Sequence, residues 1–173
     1  MVRRILFLIG ILLFLYPVLS NIYVEKQQQK AISEEASGVI GSVKIPTIGV
    51  HLPIYEGVSD EVLEKGVGHI KESHHPGEGQ NTHCLLAGHR GLPTAELFTR
   101  MGELEVGDRF YVHVPNETYL YTVCRVQVIR PEETDVLGIW TGKELVSLIT
   151  CTPYGLNTHR LIVTGERTEE SNL

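Results

Sequence analysis

The sequence predicts an all-β domain, closed or nearly closed into a barrel, behind an N-terminal apolar segment. Three observations predict it. From Gly38 onward, short runs rich in Val, Ile, Thr and Tyr alternate with Gly, Pro, Asn and Asp, the pattern of strands separated by turns. Only two segments in that stretch look helical, and both are short. A single long uncharged run stands at the start, and nothing after Glu166 could match it. Strands at this spacing with so little helix favour a barrel.

The apolar run comes first. Residues 5–19 (ILFLIGILLFLYPVL) carry no charge and follow Arg3 and Arg4. A spanning helix needs roughly 20 apolar residues, and extension to Val24 reaches that length by admitting Ser20 and Asn21. The expectation is an uncleaved signal anchor over residues 1–24. Its arginines stay inside and the rest of the chain lies on the extracytoplasmic side of the cell membrane. A cleaved signal peptide is the alternative, although Val18-Leu19-Ser20 makes a mediocre cleavage site. Residues 25–37 (EKQQQKAISEEAS) are polar and favour helix, as a short solvated stalk. Residues 38–168 form the domain and 169–173 a tail.

Within the domain, strands are expected at 39–45, 50–55, 83–88, 110–114, 119–129, 147–152 and 160–166. Pro115 and Asn116 favour a turn between YVHV and the following β-rich run, which makes a hairpin. Helices are expected at 60–65 (DEVLEK) and at 94–101 (TAELFTRM), where Thr94 offers a cap.

Composition then restricts function. Fifteen Lys+Arg stand against 21 Asp+Glu, a net charge of −6. No basic face is available to neutralise phosphates, which argues against nucleic acid. Three cysteines are too few for a disulfide scaffold, and an odd count leaves at least one thiol unpaired.

Cys151 is the best placed reactive group. It sits in LITCTPYG, directly after an apolar strand and before Pro153 and Gly155. A strand end opening into a turn holds a nucleophile firmly yet leaves it reachable. Cys84 and Cys124 lie inside strand patterns and read as buried, with a disulfide between them possible. His89 follows a strand and opens a loop, and Arg160 begins the strand nine residues after Cys151. If the intervening segment returns to the same end of the sheet, Arg160 comes back near Cys151 as a fixed cation. His159 is a second candidate base, and His51 and His113 read as packed or solvated. His69, His74, His75 and His83 bracket a Gly/Pro/Asn loop, but their spacing matches no metal motif, and no metal ligand is assigned.

Taken together, these residues resemble the sortases, cysteine transpeptidases of Gram-positive surfaces. The TLxTC pattern is matched by Ser147-Leu148-Ile149-Thr150-Cys151, with Ser in place of the first Thr. The family's His falls on His89 in LLAGHRGLP, and its Arg on Arg160 in NTHRLIVTG. The string CTPYGLNTHR is similar to the pilus-assembling class C, and VKIPTIGVHLPIYEG and LFTRMGELEVGDRF also resemble the sortase barrel. The resemblance spans about residues 38–167. It implies an eight-stranded barrel with Cys151 as nucleophile, His89 as general acid and base, and Arg160 stabilising the oxyanion. Thr150, Leu148 and Tyr154 are implied substrate contacts.

The implied reaction is cleavage of an LPxTG-like signal on surface proteins or pilin subunits. A thioacyl enzyme forms and is resolved by an amine, either a pilin lysine or a peptidoglycan precursor. No cofactor beyond these side chains is implied. The chain has no Asp-Pro dipeptide and no second apolar run, both common in class C, so wall anchoring stays open beside pilus assembly. Outside the resemblance, another exported cysteine enzyme or a membrane-tethered binding module are the competing readings.

Overall fold

Strand propensity and turn chemistry build this chain into a closed barrel carried on one long helix. The computed structural model describes residues 2–33, 38–92 and 95–169. Helix α1 (Val2–Ser33) is continuous. Residues 5–32 of it contain a stretch long and apolar enough to cross a membrane, its most apolar 18 residues having a mean hydropathy of 2.4, and side chains such as Leu12, Phe14 and Leu19 lie exposed. From Asn21 onward the same helix docks on the domain. Val24 packs against the core, Asn21 accepts the Glu96 N–H at 3.1 Å, and buried Gln28 donates to the Lys65 carbonyl at 3.0 Å. The polar segment expected to be solvated is therefore partly a docking surface. Its last residues, 34–37, lie outside the described ones.

Eight strands follow: β1 (Val39–Ile45), β2 (Val50–Glu56), β3 (Val67–His69), β4 (Thr82–Ala87), β5 (Arg109–Val114), β6 (Glu117–Ile129), β7 (Glu144–Thr152) and β8 (His159–Thr168). They close in the order β1-β2-β3-β4-β7-β8-β6-β5. Pairs β2–β3 and β4–β7 are parallel and the others antiparallel. Inward positions alternate along each strand, and Val43, Ile45, Leu86, Phe110, Val146 and Leu148 are wholly buried. Phe110 stacks on Tyr121 with centroids 5.4 Å apart. Gly165 makes room for that pair, because a Cβ there would come within 2.5 Å of the Phe110 ring.

Local rules account for most boundaries. The β5–β6 hairpin turns through Pro115 and Asn116, with Asn116 at φ 70°, a conformation Asn tolerates. Helix α2 (Asp60–Lys65) has acids in its first turn and Lys65 in its last, matching the helix dipole.

Two differences from the expected elements stand out. Strand β3 was not foreseen, because three residues with a central glycine carry too little pattern. The helix expected at 94–101 does not form over its described part, and only a 3-10 turn occurs at Met101–Glu103. Thr94, its expected cap, lies outside the described residues. Ala95, Leu97, Phe98 and Met101 are all buried. The Phe98 N–H donates instead to the His89 carbonyl at 3.1 Å. Burial of these four side chains outweighs helix propensity, and the segment becomes a packed cover next to His89.

Candidate active site

Parity of the strands decides what faces outward. On β7, Val146 and Leu148 point into the core, so Ser147, Ile149 and Cys151 point out. On β8, Leu161 and Val163 point in, so Arg160 and Ile162 point out. On β4, Cys84 and Leu86 point in, which leaves Leu85 and Ala87 on the outer face, in line toward His89.

Register then brings the three sequence candidates together. Cys151 lies directly opposite Arg160 in the antiparallel β7–β8 pair. In the parallel β4–β7 pair, Ala87 lies opposite Ile149, and the Gly88 N–H donates to the Ile149 carbonyl at 3.0 Å. His89 stands two residues beyond Ala87, as Cys151 stands two beyond Ile149, past the last paired position of β4. Cys151 thus has Arg160 opposite it on one side and the chain end that leads to His89 on the other. All three residues are half-buried, reachable yet held.

The β7–β8 loop bends back within a few residues. The Leu156 and Asn157 N–H groups both donate to the Pro153 carbonyl, and Gly155 sits at φ 80°, where glycine is favoured. Arg160 Nη1 donates to the carbonyls of Asn157 at 3.2 Å and His159 at 3.1 Å, which aligns the guanidinium with the loop that carries Tyr154. Tyr154 is 59% exposed and stands at the rim. Thr150 is 2% exposed, and its hydroxyl oxygen has no partner. Leu148 lies in the core at 0% exposure and offers substrate no surface. Its place in the motif reflects packing.

Two groups escaped the sequence reading. Arg90 follows His89 and Thr152 follows Cys151, and their side chains meet. Arg90 Nη1 donates to Thr152 Oγ1 at 2.9 Å, while its Nε donates to the Thr99 carbonyl at 3.3 Å. The second group is a buried relay on the outer face. His83 Nδ1–H donates to the Gly138 carbonyl at 3.0 Å, and His83 Nε2 accepts from Ser147 Oγ at 2.8 Å. Ser147 Oγ lies 2.7 Å from Thr164 Oγ1, which supplies the next hydrogen. The relay ties β4, β7 and β8 to the β6–β7 connection. Arg90 could have been noticed because each partner directly follows a reactive residue. The relay could not, since Ser147 and His83 are 64 residues apart.

The other thiols differ from Cys151. Burial pushes the Cys84 thiol far up, with nearby carboxylates adding to it. Burial also raises Cys124, whose Sγ–H donates to the Thr164 carbonyl at 3.3 Å. All three cysteines are free, so the Cys84–Cys124 disulfide is not formed. Among the described residues, a grouping of metal-ligating side chains lies away from this site, at Glu56, His69 and His75.

The chain matches the family model described as the sortase domain over residues 43–168. It is 34% identical over 145 residues to Sortase D of Bacillus subtilis (strain 168), covering 82% of this chain and 69% of that protein. It is 33% identical to Sortase A of Streptococcus agalactiae serotype III (strain NEM316), covering 74% of this chain and 52% of the relative. Among solved structures, sortase C1 from Streptococcus agalactiae superposes with a TM-score of 0.76 at 44% identity, covering 78% of this chain and 70% of that one. Sortase C of Streptococcus pneumoniae does so with a TM-score of 0.76 at 40% identity, covering 78% and 70% respectively.

Proposed function

Because this chain belongs to the sortase family of cysteine transpeptidases, we propose that it cleaves an LPxTG-like signal on surface proteins and joins the product to a pilin lysine. The observations that support the reading are the pairing of Cys151 with Arg160, and of Ala87, two residues before His89, with Ile149, two residues before Cys151. Cys151 Sγ, its proton passed to His89, attacks the Thr carbonyl carbon of the signal as a thiolate. Arg160 donates to the oxyanion as charge develops there. His89 protonates the departing glycine amine, the C–N bond breaks, and a thioester remains on Cys151. An amine then enters, His89 accepts its proton, and the thiol is released as the new amide forms.

Support for the pilin acceptor is the likeness to class C structures. Among these are a Streptococcus pneumoniae sortase C described with pilin substrate specificity and a sortase C2 of a Group B Streptococcus pilus island. Wall anchoring is the second reading, favoured by the likeness to Sortase D and Sortase A proteins. Helix α1 serves as a single-pass anchor in this proposal, with residues 38–168 as an extracytoplasmic barrel onto which the polar end of the helix docks through Gln28.

The test is incubation of the detergent-solubilised chain with LPxTG peptides, followed by mass measurement. A thioacyl adduct on Cys151 is expected, resolved faster by a lysine-bearing pilin fragment than by a peptidoglycan cross-bridge amine. The opposite order of amines would establish the wall-anchoring reading, and absence of any adduct would overturn both.

A further inference from the structure

Across the sheet from the thiol, the parallel pair β2–β3 sets Glu56 opposite His69. His69 shares a strand face with core residue Val67 and is 0% exposed. A buried imidazole needs partners for both ring nitrogens. Nε2 lies 3.0 Å from the His74 carbonyl oxygen and 3.2 Å from Ser73 Oγ. The Ser73 hydroxyl gives its own hydrogen to the Ile70 carbonyl at 2.7 Å and accepts the Leu85 N–H at 3.0 Å. Toward Nε2 it can only accept. The hydrogen of the neutral ring is therefore on Nε2, and Nδ1 carries the lone pair.

That lone pair faces Glu56 Oε1 at 3.0 Å. Two acceptors do not hold such a distance unaided, so positive charge belongs between them: a second proton or a metal ion. His75 decides between the two. Its exposed ring stacks on His69 with centroids 4.3 Å apart, and the ligand atoms of Glu56, His69 and His75 all lie within 4.8 Å of one another. A proton would satisfy Glu56 and leave His75 without a role. An ion uses all three.

The distances have the right scale. At metal–ligand bonds of about 2.0–2.2 Å, two ligands of a tetrahedral ion lie about 3.4 Å apart. His69 Nδ1 and Glu56 Oε1, 3.0 Å apart, would have to separate by a few tenths of an ångström, and His75 would have to turn its exposed side chain. The bond from Nε2 to a backbone carbonyl is the outer-shell contact that orients metal-ligating histidines. Two imidazoles with one carboxylate suit zinc and its transition-metal neighbours, whereas calcium and magnesium prefer oxygen alone.

We propose that Glu56, His69 and His75 form a zinc-class divalent metal site, with a fourth position open to water. The ion pins the loop after β3, through His75, onto β2 and β3. The site is separate from Cys151 and rests on none of its chemistry.

The test uses the full chain in detergent, carrying Cys151→Ala so that the reactive thiol does not compete for metal. Equilibrium dialysis against zinc chloride should give one ion per chain, and cobalt substitution should give the visible bands of a low-coordinate N/O centre. His75→Ala should weaken binding at least about tenfold, the low end of what loss of even a supporting group costs. It should also abolish the rise in unfolding temperature that zinc causes in the parent. His75 is exposed, so this variant keeps the fold, and Glu56→Gln gives an independent second reading. No zinc at the chain, or zinc retained at unchanged affinity in His75→Ala, overturns the proposal and leaves His69 and Glu56 as a proton-bridged pair.

Discussion

Cutting the contact between Arg90 and Thr152 tests whether the two strand ends are held in register by that side-chain pair. Arg90 follows His89 and Thr152 follows Cys151, so the 2.9 Å hydrogen bond between them spans the two reacting residues. Arg90→Met keeps the length of the side chain and removes every donor. A hydrogen bond to a charged group contributes about 1.5–3 kcal/mol. Both partners are half-buried and water can replace part of the loss, so the low end applies. About 1.5 kcal/mol corresponds to about tenfold in rate. Arg90 touches no reacting atom in this account. It is a positioning residue, and the loss should fall on kcat for transpeptidation more than on KM. Thr152→Val, which breaks this bond and leaves the Arg90–Thr99 contact, should cost no more than Arg90→Met, and Thr152→Ser, which keeps the hydroxyl, should stay near the parent rate. The double variant Arg90→Met/Thr152→Val should be little worse than Arg90→Met alone, a coupling of about 1–1.5 kcal/mol. If the two losses instead multiply, the residues act independently and the clamp does not exist.

Three further outcomes are expected. Substoichiometric iodoacetamide should label Cys151 before Cys84 and Cys124, whose thiols are raised by burial, and peptide mapping reads this directly; label found first on either of the other two would contradict it. Gly88→Ala would place a Cβ 2.8 Å from the wholly buried Phe98 ring, so denaturant unfolding should show a loss of about 1–3 kcal/mol, partly regained with Phe98→Leu. Desolvation lowers the pKa of His83, and the Gly138 carbonyl only partly offsets it. The unfolded chain therefore takes up a proton first as pH falls below about 6.5, and stability drops from there down through the folded-state pKa of His83. His83→Gln should flatten that slope in unfolding curves measured between pH 7.5 and pH 5, and an unchanged slope would remove His83 as its source.

The sequence by itself determined the parts that depend on near neighbours. Alternating apolar residues, the Pro115-Asn116 turn and the acids and lysine of α2 marked seven strands, a hairpin and a helix, because each signal lies within a few residues. Cys151, His89 and Arg160 were legible as candidates for the same reason, since each stands where a strand gives way to a loop. Tertiary structure decided what depends on distant partners. Parallel pairing of β4 with β7 set Ala87, two residues before His89, opposite Ile149, two residues before Cys151, and no local pattern encodes that register. Packing of Leu97, Phe98 and Met101 turned an expected helix into a cover beside the site. Leu148, which the motif offered to substrate, went to the core because strand parity with Val146 left it no other face. The lone pair of His69 was fixed by Ser73, His74 and Leu85 together, and only folding brings those four groups into contact.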